Sequence, residues 1–230
     1  MRRPVLTVLT TLGVLVLLGL GTWQVARLQW KEGLIARAGE LATADPVPLE
    51  ADDALYRSVL AGGELYRHVS LTGGFPTAEV VHVFGTHDGV PGWFVFQPFR
   101  ADRLGVDLMV DRGFVPEDDR ATTYPLPDAE RLRGLVRYYE APGGLGAAVA
   151  PPADLARGTA YDRRKATLTA PFGGADAFAP FYLDSTLPTT LPRGGTTRLD
   201  FSNRHLGYAI TWYGLAAGLV AVYVAMTRRR

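Results

Sequence analysis

The sequence predicts two transmembrane α-helices that flank a β-rich (α+β) extracytoplasmic domain, built as an antiparallel sheet or a small open barrel. No residue from Pro4 to Ala26 is charged, and none from Leu206 to Thr227 is charged either. Each run is long enough, at about 1.5 Å per helical residue, to cross a hydrocarbon core about 30 Å thick. Between the runs, short β-branched and aromatic stretches alternate with Gly and Pro, which is typical of short antiparallel strands.

These observations divide the chain into four predicted parts. A first transmembrane helix with a short cytoplasmic N-terminus covers residues 1–26, and a helical extension with a linker covers residues 27–65. The β-rich domain covers residues 66–204. A second transmembrane helix with a basic cytoplasmic tail covers residues 205–230.

The helical extension is predicted from spacing. Trp23, Arg27, Trp30 and Leu34 recur on one helical face beyond the uncharged run. The two tryptophans are typical of aromatic side chains that anchor a helix at headgroup depth. The prolines within residues 45–48 are expected to end this helix.

The first uncharged run is interpreted as a retained anchor rather than a cleaved signal peptide. It is long, and no small-x-small cleavage site precedes the next charged residues. Only three residues come before it, which leaves no room for a mitochondrial transit peptide and predicts a bacterial inner membrane. Local charge does not decide the orientation, but a long segment is translocated largely regardless of charge. We therefore expect a multi-pass protein with both termini in the cytoplasm and the large domain outside.

Composition excludes several function classes. The chain has 24 basic and 23 acidic residues, and its arginines form no single basic stripe, so nucleic acid is excluded as a partner. The absence of cysteine excludes thiolate metal sites, iron–sulfur clusters and cysteine nucleophiles. The sequence also lacks the G-x-S-x-G, H-E-x-x-H and P-loop motifs. A hydrolase therefore lacks a recognisable nucleophile with a general base in this sequence.

Two sets of ionisable side chains have an ordinary structural explanation. A carboxylate pair of the glycosidase type would have to come from acidic residues that the sequence assigns to turns, namely Asp88, Asp111, Asp118 and Asp119. Three histidines, His68, His82 and His87, could hold a metal on one hairpin. The alternation does not fix which face His82 occupies, and a histidine before Asp-Gly is usual on a surface turn. Their role is left open.

His205 is the more informative histidine. It stands at the outer mouth of the second apolar run, with Tyr208 and Trp212 at i+3 and i+7 on its helical face. One interpretation is that Arg204 and His205 simply mark the membrane boundary. The other is that a neutral imidazole beside aromatic surface ligates haem iron. Position alone leaves both interpretations open.

Five stretches resemble, in order, the successive motifs of the Surfeit-locus-one (Surf-one) family of cytochrome c oxidase assembly factors. They are LGLGTWQVARLQWKEGLI, YRHVSLTGGF, VPGWFVFQPFR, VDRGFVP and NRHLGYAITWYGLA. The two-span architecture also matches, and the motifs extend over nearly the whole chain. In the first and fourth motifs the matching residues are Trp23, Gln24, Arg27, Lys31, Arg112, Gly113 and Pro116.

The resemblance implies a haem-handling chaperone that is not an enzyme, binds haem a transiently and assists its insertion into oxidase subunit I. Subunit I, haem A synthase and membrane lipid are the implied partners. Some bacterial members bind haem a through the histidine that corresponds to His205, which would ligate the haem iron. The implied cofactor-binding residues are His205, Trp212, Tyr208, Arg204, Trp23 and Arg27. A cationic Arg27 or Arg204 would pair with haem propionates or contact lipid headgroups.

The sequence departs from the family pattern in two places. Asp111 replaces an asparagine often found before the Arg-Gly pair, and residues 150–168 lack a common tryptophan pattern. The alternative function is a cofactor-free structural scaffold that stabilises an oxidase assembly intermediate. A haem-dependent membrane oxidoreductase is disfavoured because no second membrane histidine or methionine offers an obvious distal ligand.

Overall fold

The chain folds as two units in a computed structural model. The helical unit comprises Met1–Arg37 with Leu199–Arg230, and the barrel unit comprises Ala38–Arg198. The residues that the structure describes are 3–120, 124–126, 131–141, 151–199 and 201–228.

Two long helices stand at the two ends of the chain. Helix α1 runs without a break over Arg3–Thr43, and the last helix, α4, covers His205–Arg228. Only 6% and 11% of the residues in their most apolar windows are buried, unlike the core helix of a soluble protein. Both are long and apolar enough to cross a membrane, which indicates a membrane protein.

A close approach joins α1 and α4. Gly21 faces the ring of Tyr213 so tightly that a Cβ at Gly21 would lie 2.7 Å from it. The hydroxyls of Thr22 and Tyr213 lie 3.1 Å apart, and those of Thr7 and Tyr223 lie 2.8 Å apart. Such hydroxyl contacts and small residues are typical of helix pairs in lipid.

The barrel unit opens with short elements. Strand β1 (Val47–Pro48) precedes helix α2 (Asp53–Leu60), and helix α3 (Lys165–Thr169) lies late in the unit. Asp52 caps α2 by accepting a hydrogen bond from the backbone N–H of Leu55 at 2.9 Å.

Five of the described strands close into a barrel in the order β2–β6–β8–β5–β4, with β4 paired back to β2. Strand β1 extends the sheet beside β2, and β3 and β7 extend it beside β4. The strands are β2 (His68–Gly74), β3 (Val81–His87), β4 (Val90–Ala101), β5 (Asp107–Pro116), β6 (Arg131–Tyr138), β7 (Thr159–Ala160) and β8 (Phe178–Ser185).

The predicted fold class of two apolar helices flanking a β-rich domain is confirmed. The barrel is closed rather than open, because the end of β2 pairs with the end of β4 at Gly73–Ala101 and Gly74–Arg100. Most pairs are antiparallel, but β5 runs parallel to β8. That pairing is available because a long crossover, which contains β6, separates the two strands.

Strand β5 lies at the centre of the barrel unit. Its residues from Leu108 to Val115 are all buried, so both of its faces are covered. The assignment of Asp111 to a turn is therefore wrong, since Asp111 lies buried in the middle of β5. Gly113 has φ +125°, and a Cβ there would lie 2.0 Å from the carbonyl oxygen of Arg193. Only glycine fits this position of the RGFVP motif.

Candidate functional site

A hydrogen bond between α1 and α4 forms the centre of the candidate site. His205 Nδ1 lies 2.7 Å from Gln24 Oε1. The Gln24 side chain is only 9% exposed, and His205 is half-buried. Because an amide oxygen only accepts hydrogen bonds, Nδ1 carries the proton of the neutral ring and Nε2 keeps its lone pair. Within the part of the chain that the structure describes, Nε2 makes no hydrogen bond.

The helix contact explains why Gln24 reaches His205. Gln24 lies one turn after Gly21, whose missing side chain lets α1 approach Tyr213 of α4. Positions i and i+3 lie on the same face of a helix, so Gln24 also faces α4. On α4, His205 begins a buried stripe that continues through Ala209.

The two aromatic residues predicted beside His205 differ in exposure. Trp212 is half-buried and lies on the stripe that contains His205 and Ala209. Tyr208 is 54% exposed, and it lies beside that stripe because it immediately precedes Ala209. Trp212 thus offers aromatic surface on the side of α4 that carries His205, whereas Tyr208 is largely open to its surroundings.

The side chains of three other predicted residues form no hydrogen bond, ion pair or ring contact with His205 in the described part of the chain. Trp23 is 57% exposed, and Arg27 is exposed with its guanidinium 3.8 Å from the centre of the Trp30 ring. A cation–π contact of this kind fixes Arg27 on its own helix. Arg204 is exposed, and its guanidinium makes no hydrogen bond or ion pair with the described residues.

The segment that leads into α4 is held by α1. Lys31 donates a hydrogen bond from Nζ to the carbonyl oxygen of Ser202. The next residue, Asn203, has a buried Oδ1 that lacks a hydrogen-bond partner in the described chain. Lys31 therefore positions the backbone three residues before His205.

Gln24 is the site residue that sequence reasoning did not single out. The sequence places it in the first-helix motif but assigns it no role. The sequence feature that could have pointed to Gln24 is its polar amide within the uncharged first run. A polar group in the hydrocarbon of a membrane requires a hydrogen-bond partner. The identity of that partner depends on the packing of two helices that are far apart in sequence.

The residues at His205 would fit a haem group whose iron takes one ligand from the protein. Nε2 is the nitrogen with the free lone pair, and Gln24 accepts the hydrogen bond from Nδ1 that would fix the tautomer of a ligating histidine. The other three histidines of the chain belong to the barrel unit. The helical unit thus offers a single imidazole rather than a two-histidine site.

The three histidines of the barrel unit have separate partners. His68 Nδ1 lies 2.9 Å from the carbonyl oxygen of Ala44, and His82 Nε2 lies 3.1 Å from the Tyr124 hydroxyl. Burial and the nearby charge of Arg120 lower the pKa of His82 to about 4. Strands β2 and β3 are not neighbours, so His68 does not share a hairpin with His82 and His87. No group of three or more potential metal ligands occurs among the described residues.

Comparison with known proteins identifies the family. The model of the SURF1 family matches residues 12–217, which include Gln24, His205 and the barrel unit. The chain is 30% identical to Surfeit locus protein 1 of Takifugu rubripes, with 90% of each chain covered. It is 32% identical to Surfeit locus protein 1 of Homo sapiens over 86% of this chain and 70% of that protein. Cytochrome oxidase assembly protein SHY1 of Saccharomyces cerevisiae is 36% identical over 50% of this chain and 28% of that protein. The chain belongs to the SURF1 family.

Proposed function

We propose that this protein is a non-catalytic membrane factor of cytochrome oxidase assembly that carries haem a transiently on His205. A role in oxidase assembly is supported by the family and by the name of the yeast relative, cytochrome oxidase assembly protein SHY1. The haem-binding part depends on one observation, the hydrogen bond between His205 and the buried Gln24. Binding of haem by His205 would explain why a polar pair lies between two apolar helices.

Each residue of the pair has a separate role in the proposal. Haem a, when bound, supplies an iron centre that accepts one imidazole nitrogen. His205 offers Nε2 from a half-buried position, and Gln24 keeps the proton on Nδ1. Trp212 provides a flat apolar surface on the same stripe of α4. A single protein ligand would suit a carrier, because the carrier must release its cargo.

The proposal extends to location and partners. We infer a bacterial inner membrane protein with both termini in the cytoplasm and the barrel unit outside. Two spanning helices put both termini on one side, and a segment as long as the barrel unit is translocated largely regardless of its charge. Oxidase subunit I would receive the haem, and haem A synthase would supply it.

The visible spectrum of the purified protein tests the proposal. The full chain is produced in bacterial cells that make haem A, purified in detergent and compared with His205→Ala. We expect a haem a band in the unmodified protein and its loss in His205→Ala. Leu206→Ala is the matched control, because Leu206 is the next residue on α4 and is exposed. Its haem content should equal that of the unmodified chain.

Two results would contradict the proposal in different ways. A protein without any haem band, purified from cells that contain haem A, would exclude the carrier role and leave the cofactor-free scaffold. A band of equal intensity in His205→Ala would show that His205 is not the ligand, although haem is bound.

A further inference from the structure

The barrel unit contains a buried arginine whose described partners are all neutral. Arg112 of β5 is only 6% exposed. Its Nη1 donates to Gln97 Oε1 at 2.8 Å, and its Nη2 donates to the carbonyl oxygen of Pro125 at 2.7 Å. These two bonds fix the plane of the guanidinium, but they supply no negative charge.

No described carboxylate balances this charge. Asp111 is adjacent in sequence, but successive side chains of a strand point to opposite faces, and its Oδ1 accepts from the backbone N–H of Gly113. Burial lowers the pKa of Arg112, yet an arginine side chain stays protonated in proteins. A buried cation without a counter-ion is unfavourable, and buried arginines are almost always paired.

A pocket of about 480 Å³ opens beside Arg112. Its wall combines apolar surface from Leu126, which is 47% exposed, and Leu191 with the hydroxyl-bearing residue Thr190. A guanidinium has five N–H donors, and the two described bonds use two of them. The pocket therefore combines apolar surface with a lining arginine that keeps donors unused by the described residues.

We propose that this pocket binds an acidic side chain of a partner polypeptide, with Arg112 as its counter-ion. The planar fork of the guanidinium matches a carboxylate, and a charge-assisted bond gains strength where water is excluded. The apolar wall would pack against aliphatic residues that flank the acidic one. This docking site lies within the barrel unit and does not depend on whether His205 binds haem.

Fluorescence anisotropy with the full chain in detergent tests this proposal. The probe is a dye-labelled acetyl-Leu-Glu-Leu-amide peptide, and its glutamine analogue is the matched neutral peptide. We expect saturable binding in the range of about 1 mM for the glutamate peptide and at least about tenfold weaker binding for the glutamine peptide. This comparison uses the unmodified chain, so it does not depend on the folding of a variant.

Two substitutions locate the bound carboxylate. Arg112→Met should weaken binding of the glutamate peptide about tenfold or more, the loss of one charge-assisted contact. Arg133→Lys should change it less than about twofold, because Arg133 is an exposed arginine on β6. Equal binding of the two peptides, or an unchanged affinity in a folded Arg112→Met variant, would overturn the proposal.

Two further outcomes would also overturn it. If acetate displaces the peptide with an affinity equal to that of the peptide itself, the pocket selects small carboxylates rather than a polypeptide. The acidic residues that follow Leu126 most closely in the sequence are Asp128 and Glu130. If the double variant Asp128→Asn/Glu130→Gln binds the peptide about tenfold more tightly, these residues rather than a partner supply the counter-ion.

Discussion

At the level of single residues, Gln24 decides which ring nitrogen of His205 is free to bind a metal ion. Its Oε1 accepts from Nδ1 at 2.7 Å, which leaves Nε2 unprotonated in the neutral ring. Hydrogen-bond partners of ligating histidines typically change metal affinity by about 10- to 100-fold. The amide is therefore expected to tune the affinity of the proposed haem site through His205.

Gln24→Leu should purify with less haem and lose it faster. The substitution keeps the volume of the side chain but removes the acceptor that fixes the tautomer of His205. The measurement is the rate of haem transfer to excess apomyoglobin, expected to rise by about tenfold or more. Gln29→Leu, at an exposed position of α1, is the control and should leave the rate unchanged. Equal rates in both variants would contradict a role for Gln24.

The buried carboxyl group of Asp111 is expected to make the stability of the protein depend on pH. Asp111 is buried in β5 and lies in register with Asp184 across the parallel β5–β8 pair. Burial, together with the charge of Asp184, raises the pKa of Asp111 to about 8. An unfolded aspartate has a pKa of about 4, so the folded state holds a proton between about pH 4 and pH 8 that the unfolded state releases. Stability is therefore expected to fall as pH rises through this interval.

Asp111→Asn should flatten this pH dependence. Asparagine keeps an oxygen that can accept from the N–H of Gly113, and it carries no charge to desolvate. The melting temperature of the full chain in detergent is measured from pH 5 to pH 8, where the single carboxyl contributes at most about 1.4 kcal/mol per pH unit. Asp102→Asn, in an exposed turn, should retain the slope of the unmodified protein. Parallel curves for the chain and Asp111→Asn would contradict the assignment.

At the scale of elements, the two helices were predictable because an uncharged run is a local signal. Helix α1 also continues beyond the run, as the spacing of Trp23 and Trp30 predicts. The closure of the barrel was not predictable, because it depends on Gly73 and Gly74 meeting the far end of β4. The parallel β5–β8 pair likewise joins strands that are distant in sequence. Nonlocal pairing of this kind leaves no periodic pattern in either strand.

In the candidate site, too, local features were predictable from the sequence and contacts between distant segments were not. The isolated histidine at the mouth of an apolar run singles out His205, and Trp212 shares its buried stripe. The sequence does not show that Gln24 faces His205 whereas Arg27 stacks on its own helix. That distinction depends on which face of α1 meets α4, and helical spacing alone allows several faces.

The contact between Gly21 and Tyr213 yields a prediction about the helix pair. A Cβ at Gly21 would lie 2.7 Å from the Tyr213 ring, whereas a Cβ at Gly19 would meet no atom within 4 Å. Gly21→Val should therefore separate the helices and weaken the bond between Gln24 and His205. The expected result is a lower melting temperature and a lower haem content than Gly19→Val. Matching values for the two valine variants would show that the helices do not depend on this contact.

At the scale of the whole molecule, the charge distribution does not fix the orientation in the membrane. Basic residues flank both ends of both apolar runs, and the net charge is only +1. The proposed arrangement rests on two spans and a long translocated segment, which would put the barrel unit on one side and both chain termini on the other. This arrangement predicts that the turn after α2 and the C-terminal end of α4 are exposed on opposite sides of the membrane.

The absence of cysteine makes this prediction directly measurable, because one introduced thiol is the sole target of a maleimide. Ala61→Cys, in the exposed turn after α2, should react with a membrane-impermeant maleimide in intact spheroplasts of the bacterial host. Arg228→Cys, at the end of α4, should react only after lysis. The unmodified chain is the control and should remain unlabelled. The reverse pattern would invert the topology, and labelling of both thiols in intact spheroplasts would show that the two helices do not form a pair of spans.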